Sequence, residues 1–258
     1  MPFVELGELQ TCYEMTGRER PVLVLSNSLG TNFSMWEPQM PQFDQRFRVL
    51  RYDARGHGRS SVTPGDYTIE QLGRDVLGLL DALELERAHF CGLSMGGMIG
   101  IWLGIHASER LDRLVLCNTA ARIGTKETWN ARIETVRKNG MESVASAVIE
   151  RWFTPEFRAT SPQKVAKAQL MLENSSPDGY AACCAAIRDM DQSDAVEEIT
   201  TRTLVIYGRN DPVTPPADAQ FLVSKISGSA SVELNAAHLS NIEQAEAFTD
   251  AVCSFLSR

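Results

Sequence analysis

Ser94 lies within Cys91-Gly92-Leu93-Ser94-Met95-Gly96-Gly97, after the apolar Ala88-His89-Phe90 and before Met98-Ile99-Gly100-Ile101-Trp102-Leu103. A serine on a tight strand-to-helix turn stands clear of the sheet, and glycines at positions 92 and 96 relieve the crowding of such a turn. The helix that follows aims its first N–H groups at whatever Ser94 attacks. Taken alone, the pentapeptide also describes an ordinary glycine-rich turn. Two later segments decide between the readings. The apolar run 203–207 passes into a polar loop carrying Asp211, and Pro212, Pro215 and Pro216 bar the strand from continuing. The alternating run 231–234 ends in a loop carrying His238. A serine hydroxyl is too weakly acidic to react unaided. His238 would take its proton and return one to the leaving group, while Asp211 holds the imidazole in the right tautomer.

The chain order serine, aspartate, histidine is that of α/β-hydrolases and differs from the orders in chymotrypsin-like and subtilisin-like proteases. The four histidines are unequal candidates, because only His238 follows the last expected strand. His89 at a strand start and His106 late in a helix read as structural. His57 sits in Asp53-Ala54-Arg55-Gly56-His57-Gly58-Arg59-Ser60, whose arginines or histidine could meet a substrate. A glycine-shaped turn braced by Asp53 and Arg55 is the favoured reading there. Acyl transfer also needs two donors for the developing oxyanion. The N–H of Met95, next to the nucleophile, is one; the second belongs to the loop 27–30, at Leu29. Each such donor supplies roughly 3 kcal/mol of transition-state stabilisation.

Strands expected at 3–6, 10–14, 22–26, 49–53, 89–91 and 114–117 alternate with a helix at 69–85 and another after Ser94. Val22-Leu23-Val24-Leu25 is continuously apolar, as a strand buried on both faces should be. The alternation predicts an α/β fold, a mostly parallel sheet flanked by helices. Between 121 and 200 the rhythm breaks. Helical stretches at 126–138, 141–153, 162–173 and 178–188 are punctuated by Pro155, Pro162 and Pro177. We read 121–200 as a helical cap inserted into a core formed by 1–120 and 201–258, with a last helix at 241–257.

The chain has 258 residues, 43% hydrophobic and 22% charged, with formal net charge -8. That balance fits one soluble α/β domain with an insertion and argues against nucleic-acid or anionic-membrane binding. No apolar run is long enough to span a bilayer, and the N-terminal residues lack a basic region followed by an apolar core. Six cysteines without a Cys-x-x-Cys spacing fit reduced thiols, so a cytoplasmic protein is expected. No metal set, dinucleotide fingerprint or phosphate loop is evident, and no cofactor is expected.

With these residues in hand, the chain resembles the 3-oxoadipate enol-lactonases of the α/β-hydrolase superfamily. The superfamily markers are Ser28-Leu29-Gly30, Asp53-Ala54-Arg55-Gly56-His57-Gly58, Gly92-Leu93-Ser94-Met95-Gly96-Gly97, Tyr207-Gly208-Arg209-Asn210-Asp211 and His238. More specific are the run 25–31 and the cap segment 179–189. Many relatives carry His-Gly where this chain has Asn27-Ser28, which matters little if the donor is the Leu29 backbone. The resemblance implies opening of an anionic enol-lactone to 3-oxoadipate in catabolism of protocatechuate or catechol, without a cofactor. An acidic protein must then bind the substrate carboxylate with a local cation. The cap offers Arg122, Arg132, Arg137, Arg151 and Arg188. Arg132 is the first choice, three residues after Trp129 on one helix face, with Arg188 also a candidate and Trp129 and Trp152 as pocket walls. The alternatives are a carboxylesterase, perhydrolase or carbon–carbon bond hydrolase on the same scaffold, or a ligand-binding receptor that turns over negligibly.

Overall fold

In the computed structural model, which describes residues 2–17 and 20–257, the apolar run at 22–26 lies inside one eight-stranded sheet. The strands are β1 (Phe3–Leu6), β2 (Leu9–Met15), β3 (Val22–Ser26), β4 (Arg48–Tyr52), β5 (Ala88–Leu93), β6 (Leu111–Cys117), β7 (Thr203–Gly208) and β8 (Ala230–Leu234). Their spatial order is β1-β2-β4-β3-β5-β6-β7-β8. β1 and β2 form a hairpin, and β2 runs antiparallel on β4. Every other pairing is parallel, so the expected mostly parallel sheet is present. Leu23, Val24 and Leu25 are fully buried because their strand has a neighbour on each side and covering elements on each face.

The helices follow from equally local causes. A short α1 (Met40–Phe43) precedes β4. α2 (Ile69–Ala82) starts where the Thr68 side chain accepts the N–H of Gln71. It stops three residues short of the expected end, because the chain turns through a positive φ of 55° at Glu84. α3 (Met95–His106) is apolar on all sides, and it is buried against β5, β6 and α2.

Between β6 and β7 the chain runs through α4 (Lys126–Asn139), α5 (Glu142–Trp152), α6 (Pro155–Thr160), α7 (Pro162–Glu173) and α8 (Pro177–Asp189). α6 was not among the expected helices. It is a short piece, capped by the Thr154 hydroxyl and opened by Pro155. Backbone hydrogen bonds among the described residues tie these helices to the rest at two places: the Tyr67 N–H donates to Ala182 at 3.1 Å, and the Leu239 N–H donates to Trp152 at 3.0 Å. After β7 comes α9 (Pro216–Lys225), also unexpected. The single last helix of the sequence reading is two, α10 (Ser240–Glu243) and α11 (Ala245–Leu256), because Gln244 leaves helical geometry at φ -120° and ψ 53°. The loops after β3, β5, β6, β7 and β8 carry Ser28, Ser94, Asn118, Asp211 and His238, all at the carboxyl ends of parallel strands. Open α/β sheets place their ligand crevices at those ends.

Candidate active site

Ser94 connects β5 to α3 with φ 59° and ψ -116°, a conformation that L residues rarely adopt. The turn is tight. A Cβ on Gly92 would overlap the carbonyl of Gly96, and a Cβ on Gly96 would overlap that of Ser26. The strained residue is held on three sides. Its N–H donates to Cys117 at 2.9 Å, its carbonyl accepts the Thr119 hydroxyl at 2.8 Å, and the Gly96 N–H donates to Asn27 at 3.0 Å.

The structure brings Ser94, Asp211 and His238 together. Ser94 Oγ lies 2.9 Å from His238 Nε2, and His238 Nδ1 lies 2.8 Å from Asp211 Oδ2. With Nδ1–H donating to the carboxylate, Nε2 is free to accept the serine proton. Asp211 is buried, which pushes its carboxyl up. The positive charge available at His238 and hydrogen bonds from His238, Asn118 and Thr214 outweigh that and hold it below the usual carboxylate range. The N–H groups of Val213 and Thr214 donate to Oδ1 at 2.7 and 3.1 Å, and the Thr214 hydroxyl donates to Oδ2 at 2.7 Å.

Asn118 was not singled out from the sequence. It follows β6 in a left-handed conformation, φ 43°, and its amide donates to Asp211 Oδ2 at 2.9 Å and to Ala237 at 3.2 Å. The Ser240 hydroxyl donates to its Oδ1 at 2.5 Å. The available signal was the polar pair Asn118-Thr119 directly after an apolar strand.

Of the two expected oxyanion donors, Leu29 lines the same cavity as Ser94, and Met95 follows Ser94 directly as the first residue of α3. Met95 opens α3, so its N–H has no acceptor one turn earlier in the helix. Leu29 lies between two committed amides: the Ser28 N–H reaches Met35 Sδ at 3.4 Å, and the Gly30 N–H donates to His57 Nε2 at 2.9 Å. The Asn27 side chain is committed as well, donating to Tyr52 O at 2.7 Å and accepting from Trp36 Nε1 at 2.9 Å. His57 is thus a brace for this loop. It does not line the cavity described next, and neither do Arg55, which pairs with Asp75 at 2.5 Å, or Arg59.

Beside Ser94 and His238 is a cavity of about 40 Å³. Trp129, Arg132, Arg151, Trp152 and Tyr180 line it from the helices between β6 and β7. Met98, Val148 and Ile187 add apolar wall. The Arg132 guanidinium lies 5.3 Å from the centroid of the Trp129 ring, as the three-residue spacing on α4 allows. Arg151 is half-buried, and burial, followed by the nearby charge of Arg132, pushes its pKa below the usual arginine value. Burial pushes the Tyr180 phenol up, so it stays protonated between these two cations. Neither arginine has a carboxylate partner among the described residues, whereas Arg122 pairs with Asp191 and Arg137 with Asp66.

Arg188 must be corrected as a candidate. Its guanidinium is bound by Asp189 at 2.6 Å, by Asn130 at 3.0 Å and by Asp66 at 3.5 Å, and it is not part of the cavity wall. These acceptors, brought from β4–α2, α4 and α8, neutralise it outside the site. A wider surface groove of about 570 Å³ beside Phe153 and Glu243 reaches none of Ser94, Asp211 or His238. No group of three or more potential metal ligands occurs among the described residues.

Comparison with known proteins identifies the family. A family model described as the alpha/beta hydrolase fold matches residues 21–245. The chain belongs to the alpha/beta hydrolase family. Within it, this hydrolase is 46% identical to 3-oxoadipate enol-lactonase 2 of Acinetobacter baylyi, over 93% of the chain and 90% of the relative. It is 40% identical to 3-oxoadipate enol-lactonase 1 of the same organism, over 92% and 88%. The crystal structure of the enol-lactonase from Burkholderia xenovorans LB400 superposes with a TM-score of 0.98 at 44% identity, covering 100% of both chains.

Proposed function

We propose that this hydrolase opens 3-oxoadipate enol-lactone to 3-oxoadipate through an acyl-enzyme on Ser94. The observation that carries the reading is the juxtaposition of a Ser94–His238–Asp211 hydrogen-bond chain with two arginines that lack carboxylate partners in the same cavity. The likeness to enol-lactonases over nearly the whole chain supports it.

Ser94 Oγ attacks the lactone carbonyl as its proton passes to His238 Nε2, and the oxyanion is held by the N–H groups of Leu29 and Met95. The ring C–O bond breaks, and the departing enolate oxygen takes the proton from His238. The enol so formed becomes a ketone, which draws the step forward. Water then gives a proton to His238 and attacks the acyl carbon, and Ser94 leaves with that proton. Asp211 stays ionised throughout and stabilises the imidazolium.

In this proposal the core, 1–120 and 201–258, carries the chemistry, and the cap, 121–200, carries recognition. Arg132 and Arg151 hold the substrate carboxylate, and Trp129 and Trp152 border the ring. A net-negative protein can take an anionic small molecule because Arg132 and Arg151 supply positive charge locally, in this cavity. The described residues include no helix long and apolar enough to cross a membrane, and all six cysteines are buried and unpaired. Unpaired thiols suit a reducing compartment, which supports a cytoplasmic location.

The test is turnover of enol-lactone generated in situ, followed by loss of the enol chromophore. Rapid loss with wild type and none with Ser94→Ala is expected. A wild-type protein that cleaves simple aryl esters but leaves the enol-lactone intact overturns the substrate assignment.

A further inference from the structure

Ser28 has a hydroxyl with nothing to bond. The residue is 1% exposed, and its Oγ has no hydrogen-bond partner among the described residues. Its backbone is fully engaged: the N–H meets Met35 Sδ, and the carbonyl accepts the Thr31 N–H at 3.2 Å and the Thr31 hydroxyl at 2.7 Å. The loop therefore cannot turn to satisfy the side chain. The neighbouring Asn27, by contrast, has partners for its side-chain nitrogen and its oxygen. Buried polar groups without a partner are uncommon and destabilising, so each calls for an explanation. Here the explanation is in the cavity, because Ser28 lines it together with Ser94 and His238.

We propose that the Ser28 hydroxyl is a third donor to the carbonyl oxygen of the bound ester, beside the N–H groups of Leu29 and Met95. The inference rests on the acyl-transfer reading above. Two features select the carbonyl oxygen over the substrate carboxylate. Ser28 is covalently joined to Leu29, the residue that presents one of the two backbone donors. The cations that suit a carboxylate, Arg132 and Arg151, approach from α4 and α5 instead. The hydroxyl is neutral and can rotate, and its bond strengthens as the carbonyl oxygen gains charge in the tetrahedral intermediate. Its effect therefore falls on kcat.

The experiment compares Ser28→Ala and Ser28→Gly with wild type on two substrates, the enol-lactone and a neutral aryl ester, with thermal melts alongside. Glycine keeps the Leu29 peptide and serves as the second variant should alanine disturb the loop. For both substrates kcat falls about ten- to hundredfold with KM little changed, as expected for loss of a bond to a charged oxygen. Melting temperature holds or rises, since an unpaired buried group has been removed. Unchanged kcat on both substrates overturns the proposal. So does a rise in KM confined to the enol-lactone, which would place the hydroxyl on the carboxylate. If wild type cleaves the aryl ester and not the enol-lactone, the lactonase reading fails, and the ester measurements still decide the role of Ser28.

Discussion

The imidazole Nε2 of His57 accepts the backbone N–H of Gly30 at 2.9 Å, so a buried histidine holds the peptide that follows Leu29. The bond requires an unprotonated Nε2, with the remaining ring proton on Nδ1 facing the carbonyl of Arg55 at 3.3 Å. Neutral His57 is thus a brace for the loop that carries Leu29.

This arrangement makes stability sensitive to acid. Burial lowers the His57 pKa from 6.5 to about 4. Between those values the unfolded chain binds a proton that the folded chain refuses, so stability is lost as pH falls from about 6.5 towards 4. The full difference is on the order of 3 kcal/mol. Urea unfolding at pH 7 and at pH 4.5 measures it. His57→Gln, whose amide oxygen can accept the Gly30 N–H without titrating, should show a shallower acid slope. Coincident slopes for variant and wild type would remove His57 as the cause.

Ser94→Ala should lower kcat on the order of 10⁴-fold or more while the protein stays folded. His238→Ala should behave similarly, and the double variant should lose little further, because the two residues act as a unit. Circular dichroism beside steady-state rates checks both halves. Near-normal turnover in Ser94→Ala would exclude the acyl-enzyme route.

Arg132→Ala and Arg151→Ala should each lower kcat/KM for the enol-lactone about ten- to hundredfold, the value of a charge-assisted contact in a partly dry cavity. A neutral aryl ester lacks the carboxylate and should lose far less. Arg188→Ala should leave both substrates nearly unaffected, since its charge is already bound by Asp189 and Asp66. Equal losses on the two substrates would make Arg132 or Arg151 a packing residue.

Asn118→Ala removes one donor from the Asp211 carboxylate and leaves the Ser240 hydroxyl without its acceptor. Thr214 and Val213 still hold the carboxylate, so the expected loss is moderate, about tenfold in kcat with KM retained on both substrates. The kcat–KM split separates this positioning effect from damage to the substrate pocket. Wild-type kcat in Asn118→Ala would show that Asp211 is held well enough without it.

Ser94, Asp211 and His238 could be named from the sequence because each stands where an apolar run gives way to a loop, and strand ends are local patterns. The mostly parallel sheet was legible for the same reason: continuous apolar runs alternate with helical periodicity, and such strands need cover on both faces. Other features depend on contacts between distant segments, which leave no local mark. Arg132 and Arg188 are both arginines on helices between β6 and β7, yet one lines the cavity and the other is bound by Asp66, more than a hundred residues earlier. Asn27 and Ser28 are adjacent polar residues, and only the approach of Tyr52 and Trp36 satisfies the first and leaves the second free. Asn118 finds Asp211 across the β6–β7 neighbours, and His57 finds Gly30 across two loops. Hydrogen bonding and charge pairing are short-ranged in space but not in sequence. The chemistry was therefore written at strand ends, while the partners that tune it were assigned by packing.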